Sequence, residues 1–452
     1  MLRPLLLAGS LLIGATVGRT AEAPAPAPGD DPFTDTVPRV AVAPHLRTIA
    51  DDGHFQFVMH EPVTVMTDDG RQPYLFRSNA GTLLCQAQLR APAFNSKGKF
   101  VYHYRIGTVM SRDDGATWST YAPMEHRDPV YTEGGALQLH DGTILMLDTF
   151  VMPADKPEHG IGELWKSHDD LRTWEGPFSV DFDLPGVKFG SSADDRGKPL
   201  PAGWMHRSLL ELPNGDLIAT MYGWFNGDTA PSAYQPAMKK MRSVVIRSRD
   251  QGKSWAYLST IAVDTGTGTE GFDEPVMVRV ARGPHTGRLL TLMRTGRDLY
   301  GAHSDDDGVS WSRPAAVHFN GIDVYDTKKW EKLFVDPTAP RYVPNDDMYG
   351  ALVDPDLIQM KNGTLVCTVG ARIPARKYRE NWRAKENGDY LAFSRDGGDT
   401  WSHIVQFTSG APTTQYMSIR EIAPDVLYVV YDDSVWKMAG RAVGFKLEVH
   451  QK

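Results

Sequence analysis

Cysteine is nearly absent: Cys85 and Cys367 are the only two in 452 residues. So few exclude a disulfide framework, and their matching positions in two repeated strands read as small buried hydrophobes rather than as a staple. No ligand-spaced cluster of His, Cys, Asp and Glu points to a resident metal or other cofactor. The acidic run Asp305-Asp306-Asp307 belongs to a turn and does not form a calcium loop. Basic charge is not in excess either. With 48 Lys and Arg against 56 Asp and Glu the net charge is −8, which gives no support for a nucleic-acid partner. An anionic small substrate stays open, because a local arginine cluster dominates its own cleft. Long apolar runs are missing as well: beyond the first residues nothing approaches the roughly 20 apolar residues of a bilayer span.

What is present starts with an export pattern. Arg3, the apolar run Leu5 to Val17 and the small-x-small Ala21-Glu22-Ala23 read as a signal peptide over 1–23, so the expectation is a periplasmic or extracellular protein with no membrane span after cleavage. Residues 24–50, rich in Ala and Pro, read as a tether, and residues 51–452 as the folded domain.

Two short patterns alternate through that domain. One is Ser-x-Asp-x-Gly-x-x-Trp, at Ser111 to Trp118, Ser248 to Trp255, Ser304 to Trp311 and Ser394 to Trp401, with a relative at Ser167 to Trp174 carrying Leu171 in place of Gly. This is turn chemistry: the Asp accepts backbone N–H bonds, Gly takes a positive φ, and Trp folds back as an apolar lid. The other is Gly or Asp before a short apolar strand, as in Gly81-Thr82-Leu83-Leu84, Gly142-Thr143-Ile144-Leu145 and Gly363-Thr364-Leu365-Val366, in six copies with a looser last one at Asp425. Six similar all-β units, each unable to bury both faces of its sheet alone, close into a ring. The expected fold is therefore a six-bladed β-propeller with Asp-box turns. Long insertions at 221–242, 323–349 and 376–386 read as loops over the ring.

Residues suited to chemistry sit at fixed places in this repeat. Arg71-Gln72-Pro73 precedes Gly81; Asp273-Glu274-Pro275 precedes a strand ending in Arg294; Arg372 ends the strand from Cys367; and Thr414-Gln415-Tyr416-Met417-Ser418 follows the last turn. Over roughly residues 65 to 435 this set resembles the sialidase (neuraminidase) superfamily of six-bladed propellers. The resemblance implies that Arg71, Arg294 and Arg372 clamp the carboxylate of a sialic acid, that Tyr416 is the nucleophile, and that Glu274 is its base. The chemistry is coherent: planar, permanently charged donors suit a carboxylate, and a neutral phenol attacks beside that charge without repulsion. The implied partner is a sialylated or other acidic glycan. Arg90 is either an added substrate contact or a structural ion-pair partner.

One part of the pattern is missing. The resemblance places an acidic general acid between the first repeated strand and the first turn, yet residues 91–110 contain neither Asp nor Glu; Asn95 and His103 are the nearest polar residues. The general acid is thus unknown. Three readings remain: another donor among His103, Asp128, Glu133 and His206; a propeller lyase of uronic-acid glycans using His126, His206, Tyr222 or Tyr234; or a protein that only binds acidic glycans.

Overall fold

The computed structural model describes residues 44–67, 70–89, 93–94, 100–102, 105–121, 133, 135–193, 197–233, 236–326, 328, 349–375, 384–410, 413–433 and 440–452. Among them the chain is all β, with almost no helix, in a propeller-like arrangement. The first sheet is a meander of Arg71–Arg77, Leu83–Leu89, Arg105–Ser111 and Ser119–Thr120. A nine-stranded sheet follows, in which Phe150–Pro153 joins the run from Ala136–Gln138 to Glu175–Asp183 with the run from Gly203–Glu211 to Ser254–Ala262. Next come a four-stranded sheet from Asp273–Arg279 to Ala315–Ala316, a six-stranded sheet around Leu365–Arg372 and Gly388–Ser394, and a five-stranded sheet ending in Ala442–Gln451.

The strands are apolar on both faces because each sheet is covered twice. Leu365–Arg372 is buried along all but its last residue. The core is accordingly divided into layers between neighbours. Tyr74, Leu84 and Met110 pack with Ile144 and Trp165; Ile218 and Val245 with Met277 and Leu289; Leu290 and Leu292 with Leu365 and Trp401. Val366 and Phe393 then meet Leu427 and Phe445, and finally Leu75 and Cys85 meet Tyr428 and Val430, so the last sheet covers the first. Cys85 and Cys367 are free thiols buried in these layers.

The amino-terminal strands close the circle. Phe55–Met59 pairs antiparallel with Ala442–Gln451, and Val63–Met66 pairs with that same final strand. Arg47–Ala50, inside the stretch whose composition reads as tether, is a strand paired with His403–Gln406. Its Pro-free, β-branched Thr48 and Ile49 suit a sheet edge, and Ile49 packs against the core layer that holds Trp401.

The turn cassettes have the bonding the sequence implies. Ser111 Oγ donates to Asp113 Oδ1 (2.7 Å), which also accepts Thr117 N–H (2.9 Å), while Thr117 Oγ1 donates to Oδ2 (2.6 Å). Asp169, Asp250, Asp306 and Asp396 repeat the set. At 167–174 the exceptional Leu171 adopts φ 65°, the strain being held by full burial of its side chain beside Trp165. The cassette tryptophans reach back to the preceding unit: Trp118 Nε1 donates to Tyr428 Oη (3.1 Å), and Trp311 Nε1 to Ser259 Oγ (3.1 Å).

Candidate functional site

Five non-glycine residues at equivalent places share a left-handed backbone: Gln72 (φ 51°), Arg207 (50°), Glu274 (41°), Asp354 (51°) and Gln415 (60°). Each lies in or beside the first strand of its unit. Pairing register slips between Arg71 and Tyr74, between Met205 and Leu209, and between Asp273 and Val276. Asp354 occupies the gap between Ala351–Val353 and Leu357–Gln359, and Gln415 stands just ahead of Met417–Ala423. A bulge re-aims side chains, and such strain persists only where the surroundings fix it. Here it turns polar residues of several units toward one cavity of about 110 Å³, lined by Gln72, Glu133, Trp204, His206, Glu274 and Tyr416 among others.

At its floor Tyr416 Oη donates to Glu274 Oε1 at 2.5 Å. Arg294 Nη1 binds both, at 2.8 Å to Glu274 Oε1 and 3.0 Å to Tyr416 Oη. Its Nη2 and Nε reach Glu270 at 3.0 and 2.9 Å. The Arg372 guanidinium lies 5.1 Å from the centre of the Tyr416 ring, and its Nη2 donates to Thr414 O (2.9 Å). Thr414 N–H and Gln72 N–H both donate to Asp432, at 2.8 and 3.0 Å, which ties the first and last units together beside the site.

Burial and the neighbouring Glu274 push the Tyr416 phenol far above its ordinary range, so it is neutral in the resting site. Burial alone would also raise Glu274, but Arg294, the Tyr416 hydrogen bond and Arg372 outweigh it and hold the carboxyl below its ordinary value. A neutral phenol thus donates to an ionised carboxylate.

A second cluster lies alongside. The fully buried Arg207 places Nη2 3.2 Å from Glu133 Oε1 and 2.9 Å from Asp354 Oδ1, and Nη1 2.6 Å from Met417 O. Ligand atoms of Glu133, His206 and Asp354 lie within 4.8 Å of one another, the spacing of a metal site, but the guanidinium already supplies positive charge to both carboxyls. Burial, Glu274 and Glu133 raise Asp354 well above the carboxylate range, against the opposing pull of Arg207. His206, buried and next to Arg207, is pushed down to about 3 and stays neutral.

Glu274, Arg294 and Tyr416 are therefore in mutual contact, with Arg372 over the Tyr416 ring. Arg71 is buried at the start of its strand, next in chain to the cavity-lining Gln72. Glu133, His206 and Tyr222 line the cavity, whereas Arg90, Asn95, His103, His126, Asp128 and Tyr234 lie outside the described residues. Sequence reasoning missed Arg207, Glu270, Trp204 and Asp354. For Asp354 a signal existed: Asp354-Pro355 repeats Glu274-Pro275 and Gln72-Pro73 ahead of the same strand motif.

No protein-family model matches the chain, and no curated protein does. Solved structures resemble it in fold. A protein of unknown function from Dyadobacter fermentans has 17% identity and a TM-score of 0.56, covering 87% of this chain and 99% of that one. An α-L-arabinanase of Penicillium chrysogenum, complexed with arabinobiose, has 16% identity and a TM-score of 0.52, covering 86% and 98%. The NanB sialidase of Streptococcus pneumoniae has 12% identity and a TM-score of 0.50, covering 86% and 70%.

Proposed function

We propose that this chain is a retaining glycoside hydrolase that removes a terminal sialic acid or related acidic sugar, on a propeller of six blades. The blade count treats the nine-stranded sheet as two units, which the succession of shared core layers supports. The observation that carries the reading is the Tyr416–Glu274 pair at 2.5 Å with Arg294 bound to both. As Tyr416 Oη attacks the anomeric carbon its proton passes to Glu274, and Arg294 stabilises charge growing on the phenol oxygen. Arg372, over the Tyr416 ring, stands where it can meet the sugar carboxylate, and Arg71 is the third member of that clamp. Water then releases the sugar from tyrosine with its original anomeric configuration. The similarity in fold to a sialidase and to an arabinanase agrees with glycosidase chemistry.

A second reading rests on the cavity walls. Among the described residues they hold Gln72, Gln88, Trp204 and two carboxylates but no arginine, and Arg294 is already paired with Glu270 and Glu274. That lining favours an uncharged sugar, such as a pentofuranoside. Release of the fluorophore from an aryl sialoside but not from an aryl arabinofuranoside supports the first reading, and the reverse supports the second. Double-bond absorbance from a uronic-acid polymer would sink both in favour of a lyase, and tight glycan binding without product would leave only a lectin. We further propose that residues 1–23 direct export and are removed, which amino-terminal sequencing of the secreted protein tests.

A further inference from the structure

The hydrolase reading still lacks a proton donor for the leaving group, and the cavity narrows the choice. Among the described titratable residues lining it are Glu133, His206, Tyr222, Glu274 and Tyr416. Glu274 and Tyr416 are engaged with each other as base and nucleophile. Tyr222 is a buried phenol whose proton is held more tightly than in water, and His206 carries no second proton at working pH. Glu133 remains, and its setting differs from that of an isolated carboxylate. Arg207 Nη2 lies 3.2 Å from Glu133 and 2.9 Å from Asp354, so two carboxyls share one guanidinium, with Glu274 Oε2 accepting the Asp354 N–H at 3.3 Å. Two carboxyls sharing one cation, with the ionised Glu274 close to Asp354, cannot both ionise cheaply in a buried site, so the pair retains a proton. Asp354 is sealed from the cavity, whereas Glu133 lines it.

We propose that Glu133 is the general acid of this site, delivering to the glycosidic oxygen the proton that the Glu133–Asp354 pair retains beside Arg207. The inference rests on the hydrolase reading above. In the first half-reaction the bond from Tyr416 Oη to the anomeric carbon forms and the glycosidic C–O bond breaks. Tyr416 loses its proton to Glu274, and the leaving oxygen takes the Glu133 proton. In the second, water attacks the anomeric carbon and gives a proton to Glu133, the tyrosyl bond breaks, and Glu274 returns its proton to Tyr416. Arg207 and Asp354 are positioning residues: they fix the carboxyl and its proton without touching substrate.

The experiment compares two substrates of the same sugar, one with a nitrophenyl leaving group that departs without protonation and one linked to a second sugar that does not. Glu133→Gln is expected to lower kcat/KM by about 10²- to 10⁴-fold on the sugar-linked substrate and by less than about tenfold on the nitrophenyl one. Glu133→Asp, which keeps the acid, recovers part of the loss. Equal losses on both substrates, with no recovery in Glu133→Asp, would show that Glu133 only holds the site's shape; no loss on either would put the acid elsewhere. Both outcomes overturn the inference while the wild-type enzyme still turns over. A wild-type protein inactive on both glycosides would instead overturn the hydrolase reading, and this assignment with it.

Discussion

Tyr416 and Glu274 are bound so closely that each sets the other's protonation, which fixes what single substitutions do. Tyr416→Phe removes the proposed nucleophile and Glu274→Gln the proposed base, and each is expected to lower kcat by at least about 10²-fold in steady-state assays with the fold intact by circular dichroism. Arg372→Lys keeps the charge but loses the planar fork; KM is expected to rise by roughly tenfold with a smaller change in kcat. The pH profile follows from Glu274. Its carboxyl is held below the ordinary 4.5, so the base form survives to lower pH than a free glutamate would allow. The acid limb of kcat/KM should therefore fall below about pH 4.5. The same depression contributes stability above the unfolded value that is lost as pH falls through the folded one. Tyr416, Glu274, Arg294 and Arg372 were legible because each stands at a fixed interval from a repeated strand or turn. Arg207 and Glu270 were not, because their importance comes from charges brought together from separate units rather than from any local pattern.

Among the elements, the strand Leu365–Arg372 lies against the segment that carries Tyr416. A Cβ on Gly370 would stand 2.1 Å from the backbone oxygen of Gln415, the residue before Tyr416. Backbone cannot yield as a side chain does, so Gly370→Ala is expected to displace Tyr416 and cost activity beyond its loss of thermal stability; unchanged activity would show that the two segments move together. The turn cassettes act on stability alone. Hydrogen bonds from Thr117 and Thr173 hold Asp113 and Asp169 down to about 2. Their contribution is complete above the unfolded value near 4 and is lost as pH falls toward 2, so acid denaturation should begin in that window. Asp113→Ala should lower stability by about 1 kcal/mol, measured by urea titration, and flatten part of the acid transition. These turns were legible from five short motifs. The strand Arg47–Ala50 was not, because composition alone cannot show that a polar edge finds a partner more than 350 residues away.

Over the whole molecule, stability is distributed between neighbours. The five core layers named above each join two sheets, while a sixth fills the nine-stranded sheet between its two runs. Removing residues 442–452 deletes the final strand, leaves Phe55–Met59 and Val63–Met66 without their partner, and is expected to abolish cooperative unfolding, read as loss of a single calorimetric transition. Propeller-like architecture was readable from the repeats. How the ends join was not, since the repeat says which strands are alike but not which sheet receives the first of them. That junction sets a timetable. Phe55 pairs with Gln451, so a strand that leaves the ribosome early has nothing to bind until translation is almost finished. Ribosome-stalled intermediates should stay open to protease until the last segment emerges.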